Sequence, residues 1–210
     1  MPVAVFIDHA KTIEEVRRAI DYGATSVMID GSHLALEDNI ELTGRVVEIA
    51  RRAGVSIEGE IGVLGEEDGS DPSEKFYTNI NEADRFVTAT GIDALAVEIG
   101  NAHGFYKKEP QLDFHRLAEI RRCLKVPLVL HGGTGIPDDD ICHAISLGIT
   151  KINIGAEGRK AFMDGLRGSL KNLPPDEKYP HKIYSAAIEA HAAVIEDKMK
   201  LFKSEGKASQ

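Results

Sequence analysis

Short, nearly continuous apolar runs alternate with amphipathic stretches along most of the chain. The runs Val3–Asp8, Thr25–Asp30, Ser56–Ile61, Ala94–Ile99, Pro127–His131 and Lys151–Ile154 read as strands. Runs of this kind, apolar at successive positions, suit parallel strands buried on both faces. Between them, apolar residues recur at helical spacing over Ile13–Asp21, Glu37–Ala53, Asn81–Thr90, Asp113–Leu124, Pro137–Leu147 and Glu157–Lys171, with a last helix at Ile183–Phe202. Thr12 and Glu15 have the spacing of a capping box, and Asp113 can cap another helix. Repeated βα units predict an α/β fold with a parallel sheet, either a closed barrel or an open one. The pattern contains about six units, whereas a closed (β/α)8 barrel has eight.

Composition narrows the class of protein. A chain of 210 residues with 42% hydrophobic and 28% charged positions suits one sizeable globular domain, ending in a polar tail at 203–210 expected to fray. No apolar run is long enough to span a bilayer, and no signal-peptide pattern opens the chain. The net charge of -9, with no basic stripe, argues against nucleic acid and anionic membranes as partners. It leaves room for a phosphorylated substrate, because backbone N–H groups at a helix N-terminus bind phosphate locally. Cys123 and Cys142 have neither zinc nor redox spacing and read as reduced, buried or half-buried thiols, which fits the cytoplasm.

The candidate chemistry gathers at strand ends. His9, His103 and His131 each fall where a predicted strand finishes, on the face where active sites of parallel barrels lie. Three imidazoles with an open fourth position are a common catalytic zinc set. Asp30 and Glu60 close two further strands. Asp8 precedes His9 directly, and neighbours on a strand point to opposite faces, so both can reach one site only if the chain turns there. The segments His131-Gly132-Gly133-Thr134-Gly135 and Asn153-Ile154-Gly155-Ala156 each join a strand to a helix, where free backbone N–H groups can face an anion. A lysine for Schiff-base chemistry would sit at a strand's C-terminal end; Lys151 reads as lying at the start of its strand, on the wrong face.

These residues carry a resemblance. Ile7-Asp8-His9, Ser26 to His33, Glu58-Gly59-Glu60-Ile61-Gly62, Gly65-Glu66-Glu67-Asp68, Ala102-His103-Gly104, Leu130 to Gly135 and Lys151-Ile152-Asn153 occur in one order across the chain. In that order they resemble the class II, metal-dependent ketose-bisphosphate aldolases, which act on fructose or tagatose bisphosphate. The resemblance implies a TIM-type (β/α)8 barrel, here shortened at its N-terminus to about six βα units plus a C-terminal helix. It implies zinc held by His9, His103 and His131, with Asp30 and Glu60 near the metal as ligands of a second divalent ion in some members. Asp8 matches the acid/base at the cleaved carbon–carbon bond. Glu67, in the polar loop Gly62–Asn79, matches the lid carboxylate that exchanges a proton on the dihydroxyacetone-phosphate carbon. Gly104, Gly132, Gly133, Thr134, Asn153 and the loop residues Ile154, Gly155 and Ala156 match the pocket for dihydroxyacetone phosphate and a monovalent cation, Na+ or K+. A homo-oligomer, dimer or tetramer, is implied as well.

The match has departures. Gly155 and Ala156 stand where the family commonly has an acidic or small residue and then threonine, and Ala10 follows the Asp-His pair in place of the usual glycine. In the family the Asp-His motif ends the third strand, so two βα units that would precede it are expected to be missing. A six-unit sheet exposes two edges, and association with another chain is the expected remedy. Three readings stay open: a ketose 1,6-bisphosphate aldolase, a non-catalytic relative that keeps metal or sugar-phosphate binding, and an aldolase for another sugar phosphate.

Overall fold

The computed structural model describes residues 3–63 and 76–207. Six strands, β1 (Phe6–Ala10), β2 (Ser26–Ile29), β3 (Ser56–Ile61), β4 (Ala94–Val97), β5 (Leu128–Leu130) and β6 (Ile149–Ile152), form one parallel sheet in sequential order. Consecutive strands are neighbours throughout, as in a barrel wall; a doubly wound sheet would reverse its order at a switch point. The helices between them are α1 (Ile13–Asp21), α2 (Leu36–Ala53), α3 (Ile80–Thr90), α4 (Phe114–Cys123) and α5 (Asp138–Ser146), followed by α6 (Ala156–Asn172) and α7 (Pro180–Leu201). None of the described helices is long and apolar enough to cross a membrane.

Local chemistry explains these elements. Thr12 and Glu15 form the expected capping box on α1, and the Asp113 side chain accepts from Arg116 N to start α4. Cys142 is partly buried as expected, but Cys123, at the end of α4, is exposed, while Ile120 of the same turn takes the buried side. Most of the core lies between sheet and helices, where Val27, Ile29, Ile57, Leu95, Leu128 and Leu130 meet helix residues such as Val46, Phe86 and Ile120. The other face of the sheet has a small core of its own: Met28, Ala96 and Val129, with Phe6 and Ala94 against them. A sheet buried on that side by so few residues must curl around them.

Three strands differ from the pattern-based expectation by two residues or more at an end, while β2 and β5 are one residue shorter at each end. β1 runs from Phe6 to Ala10, not Val3 to Asp8, because Val3 and Val5 are exposed and the pairing with β2 continues past a bulge to Ala10. β4 stops at Val97. Beyond it the amides of Glu98, Ile99 and Gly100 donate to Thr78 Oγ1, Asn101 Oδ1 and Glu98 Oε1, so side chains replace the ladder. β6 begins two residues earlier than Lys151, which places Lys151 well inside the strand.

Candidate active site

The site begins with a kink. Ile7 pairs with Val27 and Ala10 with Ile29, so β1 spends one extra residue over that stretch. His9 absorbs the bulge at φ +51°, a left-handed conformation uncommon for any residue but glycine. Strict alternation would send Asp8 and His9 to opposite faces; the bulge re-aims them, and both line one cavity of about 230 Å³. Strain held at such a position is a frequent mark of a functional site.

Three imidazoles converge there. The His9 ring centroid lies 5.0 Å from that of His103 and 4.6 Å from that of His131. His9 Nδ1 is 3.0 Å from Asp30 Oδ2, and His131 Nε2 is 2.7 Å from Glu58 Oε1. The rings of His9 and His131 therefore each have a carboxylate on one nitrogen. The other nitrogens, His9 Nε2 and His131 Nδ1, are buried without a hydrogen-bond partner, as is Glu60 Oε2. Buried polar atoms are seldom left so, and a ring oriented by a carboxylate with its second nitrogen open is the usual state of a metal-ligating histidine. Donor atoms of Asp8, His9 and His131 lie within 4.8 Å of one another, and so do those of His9, Asp30 and Glu60. The residues present fit a divalent cation.

The carboxylates around them differ in state. Burial pushes the Asp30 carboxyl up, but hydrogen bonds from His9, Lys11 and Ser32 outweigh it and hold the group far below the ordinary range. Burial likewise opposes ionisation of Glu58, and His131 and Lys151 more than compensate, so it too is lowered. Glu60 goes the other way: burial and the neighbouring carboxyl groups of Asp30, Glu98 and Glu58 raise it well above a normal carboxyl. A cation beside Glu60 would reverse that balance.

The glycine loops share the cavity with His9 and His103. Gly104, Gly132, Thr134 and Asn153 line the cavity, with Gly155 and Ala156 at the start of α6. Gly132 is required by space as well as by φ (+63°), since a Cβ there would lie 2.0 Å from Ala102 O. Gly133 and Ile154 do not line the cavity. The Gly133 amide donates to Asn153 O, and the bare Cα of Gly133 packs on Ile152 and Ile154. Glu67 lies outside the described residues.

Sequence reasoning passed over several residues that shape the site. Glu58 holds His131, Lys11 holds Asp30, and Arg159, one turn into α6, adds a cation to the cavity wall. Tyr106 Oη accepts from Ala102 N and donates to Gly132 O, tying the His103 loop to the His131 loop. Burial pushes its phenol up to about 12. Glu58 was the most readable of these, since it shares a strand face with Glu60; Tyr106 carried no signal in a loop of irregular pattern.

The family model for class-II fructose-bisphosphate aldolase matches residues 1–207. The chain belongs to that family. It is 44% identical over 211 residues to a fructose-bisphosphate aldolase of Geobacillus stearothermophilus, covering 100% of this chain and 73% of the relative. A sulfofructosephosphate aldolase of Alkalicoccus urumqiensis is 42% identical, with 99% and 73% covered. The crystal structure of the YdjI aldolase from Escherichia coli K12 superposes with a TM-score of 0.85 at 39% identity, covering 99% of this chain and 72% of that one. The protein is thus an aldolase, a carbon–carbon lyase, and its six-stranded sheet corresponds to a large part of an aldolase barrel.

Proposed function

We propose that this aldolase reversibly cleaves a ketose 1,6-bisphosphate, fructose or tagatose 1,6-bisphosphate, to dihydroxyacetone phosphate and glyceraldehyde 3-phosphate. One observation carries the reading: a half-exposed carboxylate, Asp8, shares a cavity with His9, His103 and glycine loops at a helix N-terminus, and its donor atoms lie within 4.8 Å of those of His9 and the buried His131. Zinc would be held by His9, His103 and His131, beside Asp30 and Glu60, and when bound supplies Lewis-acid stabilisation of negative charge developing on the ketose oxygens.

The chain's own residues do the rest. Asp8 takes the proton of the C4 hydroxyl as the C3–C4 bond breaks, which releases the aldehyde. The electron pair left toward C3 is quenched by a proton that Glu67 delivers to that carbon. Two separate carboxylates suit two separate proton transfers. The amides around Gly104, Gly132, Gly155 and Ala156, with Thr134 and the Arg159 guanidinium, hold the phosphate of the dihydroxyacetone-phosphate half against the N-terminus of α6. Asn153 belongs to the same pocket, which also suits a monovalent cation.

The test is cleavage of fructose 1,6-bisphosphate and tagatose 1,6-bisphosphate by zinc-loaded and chelated protein, read through the triose phosphates formed. Zinc-dependent turnover of either supports the reading; turnover of neither, with zinc bound, overturns it. A second reading, an aldolase for another sugar phosphate, has the sulfofructosephosphate aldolase relative in its favour. A substrate panel including a sulfofructose phosphate separates the two. We also propose association between copies, dimer or tetramer, since β1 and β6 each have one neighbour in the described sheet.

A further inference from the structure

Lys151 connects the two halves of the site. It lies inside β6, with Asn153 two residues on and therefore on the same face. Its Nζ is 3.0 Å from Glu58 Oε2 and 2.6 Å from Asn153 Oδ1, and it sits 4.2 Å above the Phe6 ring. Glu58 is on β3, three strands away. In a flat sheet three strand spacings are about 14 Å, beyond the combined reach of these side chains; the curl of the sheet over Ala94, Ala96 and Val129 brings them together. A lysine that reads as misplaced for covalent chemistry is thus placed by tertiary structure between Glu58 and Asn153, a residue of the cavity wall.

The contacts on either side are directional. An ammonium only donates and a carboxylate only accepts. Lys151 therefore requires the amide oxygen of Asn153 to face it, which turns Asn153 Nδ2 toward Asp8, 3.2 and 3.1 Å from the two carboxylate oxygens. On the other side Lys151 compensates Glu58, which is almost fully buried, and Glu58 Oε1 holds His131 Nε2 at 2.7 Å. That contact leaves His131 Nδ1 as the nitrogen open to the site.

We propose that Lys151 is a positioning residue that sets both the Asp8 carboxylate, through Asn153, and the His131 ring, through Glu58. It touches neither substrate nor metal. Without it Asn153 has no reason to keep its amide one way round, and Glu58 becomes a buried charge with a single partner, a state that proteins avoid. The proposal rests on the aldolase reading only for its kinetic arm.

The test compares wild type, Lys151→Met and Lys151→Arg. Zinc affinity is measured by chelator competition, and steady-state kinetics are measured on whichever bisphosphate the wild type cleaves. Lys151→Met is expected to weaken zinc binding about 10- to 100-fold, as removal of an outer partner of a metal ligand generally does. Its kcat is expected to fall by at least about 10-fold with KM within about 2-fold, while Lys151→Arg recovers most of both. Should Lys151→Met fail to fold, Lys151→Gln, which keeps a donor for Asn153 without the charge, is measured in its place, and zinc affinity is expected to fall in the same way. Equal zinc affinity in all variants, or no zinc binding by any of them, overturns the proposal. So does a drop in thermal stability with zinc affinity and kcat intact. A wild type that binds zinc yet cleaves neither bisphosphate counts against the aldolase reading alone, because the zinc arm still decides on Lys151.

Discussion

Asp8 and Asn153 stand 145 residues apart in sequence, yet Asn153 Nδ2 donates to both oxygens of the Asp8 carboxylate. One residue sits on the first strand of the sheet and the other just past the last. Strands at opposite edges of a six-stranded sheet share a hydrogen bond only if the sheet curls back on itself at the strands' C-terminal ends. The proposed acid/base group is thus held by the closure of the fold rather than by its local chain.

Replacing the Asp8 carboxylate tests its role directly. Asp8→Asn keeps the shape and removes the base, so kcat should fall about 10²- to 10⁴-fold, the usual contribution of a positioned proton-transfer group. Asp8 is half-exposed, so the melting temperature should move by no more than a few degrees. A rate within a factor of three of wild type would remove Asp8 from the mechanism.

Chelation should abolish turnover and also lower stability. Folding alone brings the donor atoms of Asp8, His9 and His131 within 4.8 Å of one another, so a bound ion stabilises the folded state by mass action. At a free zinc concentration of 100 times Kd the gain is about 2.7 kcal/mol. Thermal unfolding with zinc and after chelation should show the difference; identical curves would argue against a folded-state site.

Tyr106→Phe deletes one hydroxyl and leaves Ala102 N and Gly132 O without their partner. Losing a buried bridge of this kind costs about 1–3 kcal/mol. Denaturant titration should register that loss, and KM should rise because the two loops it joins both line the cavity. Unchanged KM with full loss of stability would show that the bridge serves folding only.

Glu98 predicts a pH dependence of stability. Burial pushes its carboxyl to about 9, against hydrogen bonds from Gly100 and Asn101 that pull it down. The folded state thus keeps a proton that the unfolded chain gives up near 4.5, the ordinary value for a glutamate. The contribution is full below about 4.5 and is lost as pH rises toward 9. Glu98→Gln, which mimics the neutral form, should flatten the fall in melting temperature between pH 5 and 9. A parallel fall in both proteins would mean that Glu98 does not hold its proton.

Much of this architecture was readable from the chain. Apolar runs of four to six residues alternating with amphipathic helices specify βα units, and Thr12, Glu15 and Asp113 mark helix starts through short-range hydrogen bonds. The placement of histidines and glycines at strand-to-loop transitions was readable too, because those positions follow from local pattern alone. The end of β4 was not, since the groups that take over its backbone amides, Thr78 and Asn101, act through side-chain contacts that no periodicity reports.

The sequence by itself determined the βα order, the residue types at the strand ends and, through their colinear motifs, the aldolase family. Tertiary structure decided which of those residues meet. The bulge at His9 turned two adjacent side chains into one cavity, against the alternation that a regular strand imposes. The curl of the sheet carried Lys151 to Glu58 and Asn153 to Asp8. Strand pattern records which face a residue takes. Distance across a curved sheet depends on the packing of the whole inner face, and that is set by no single segment.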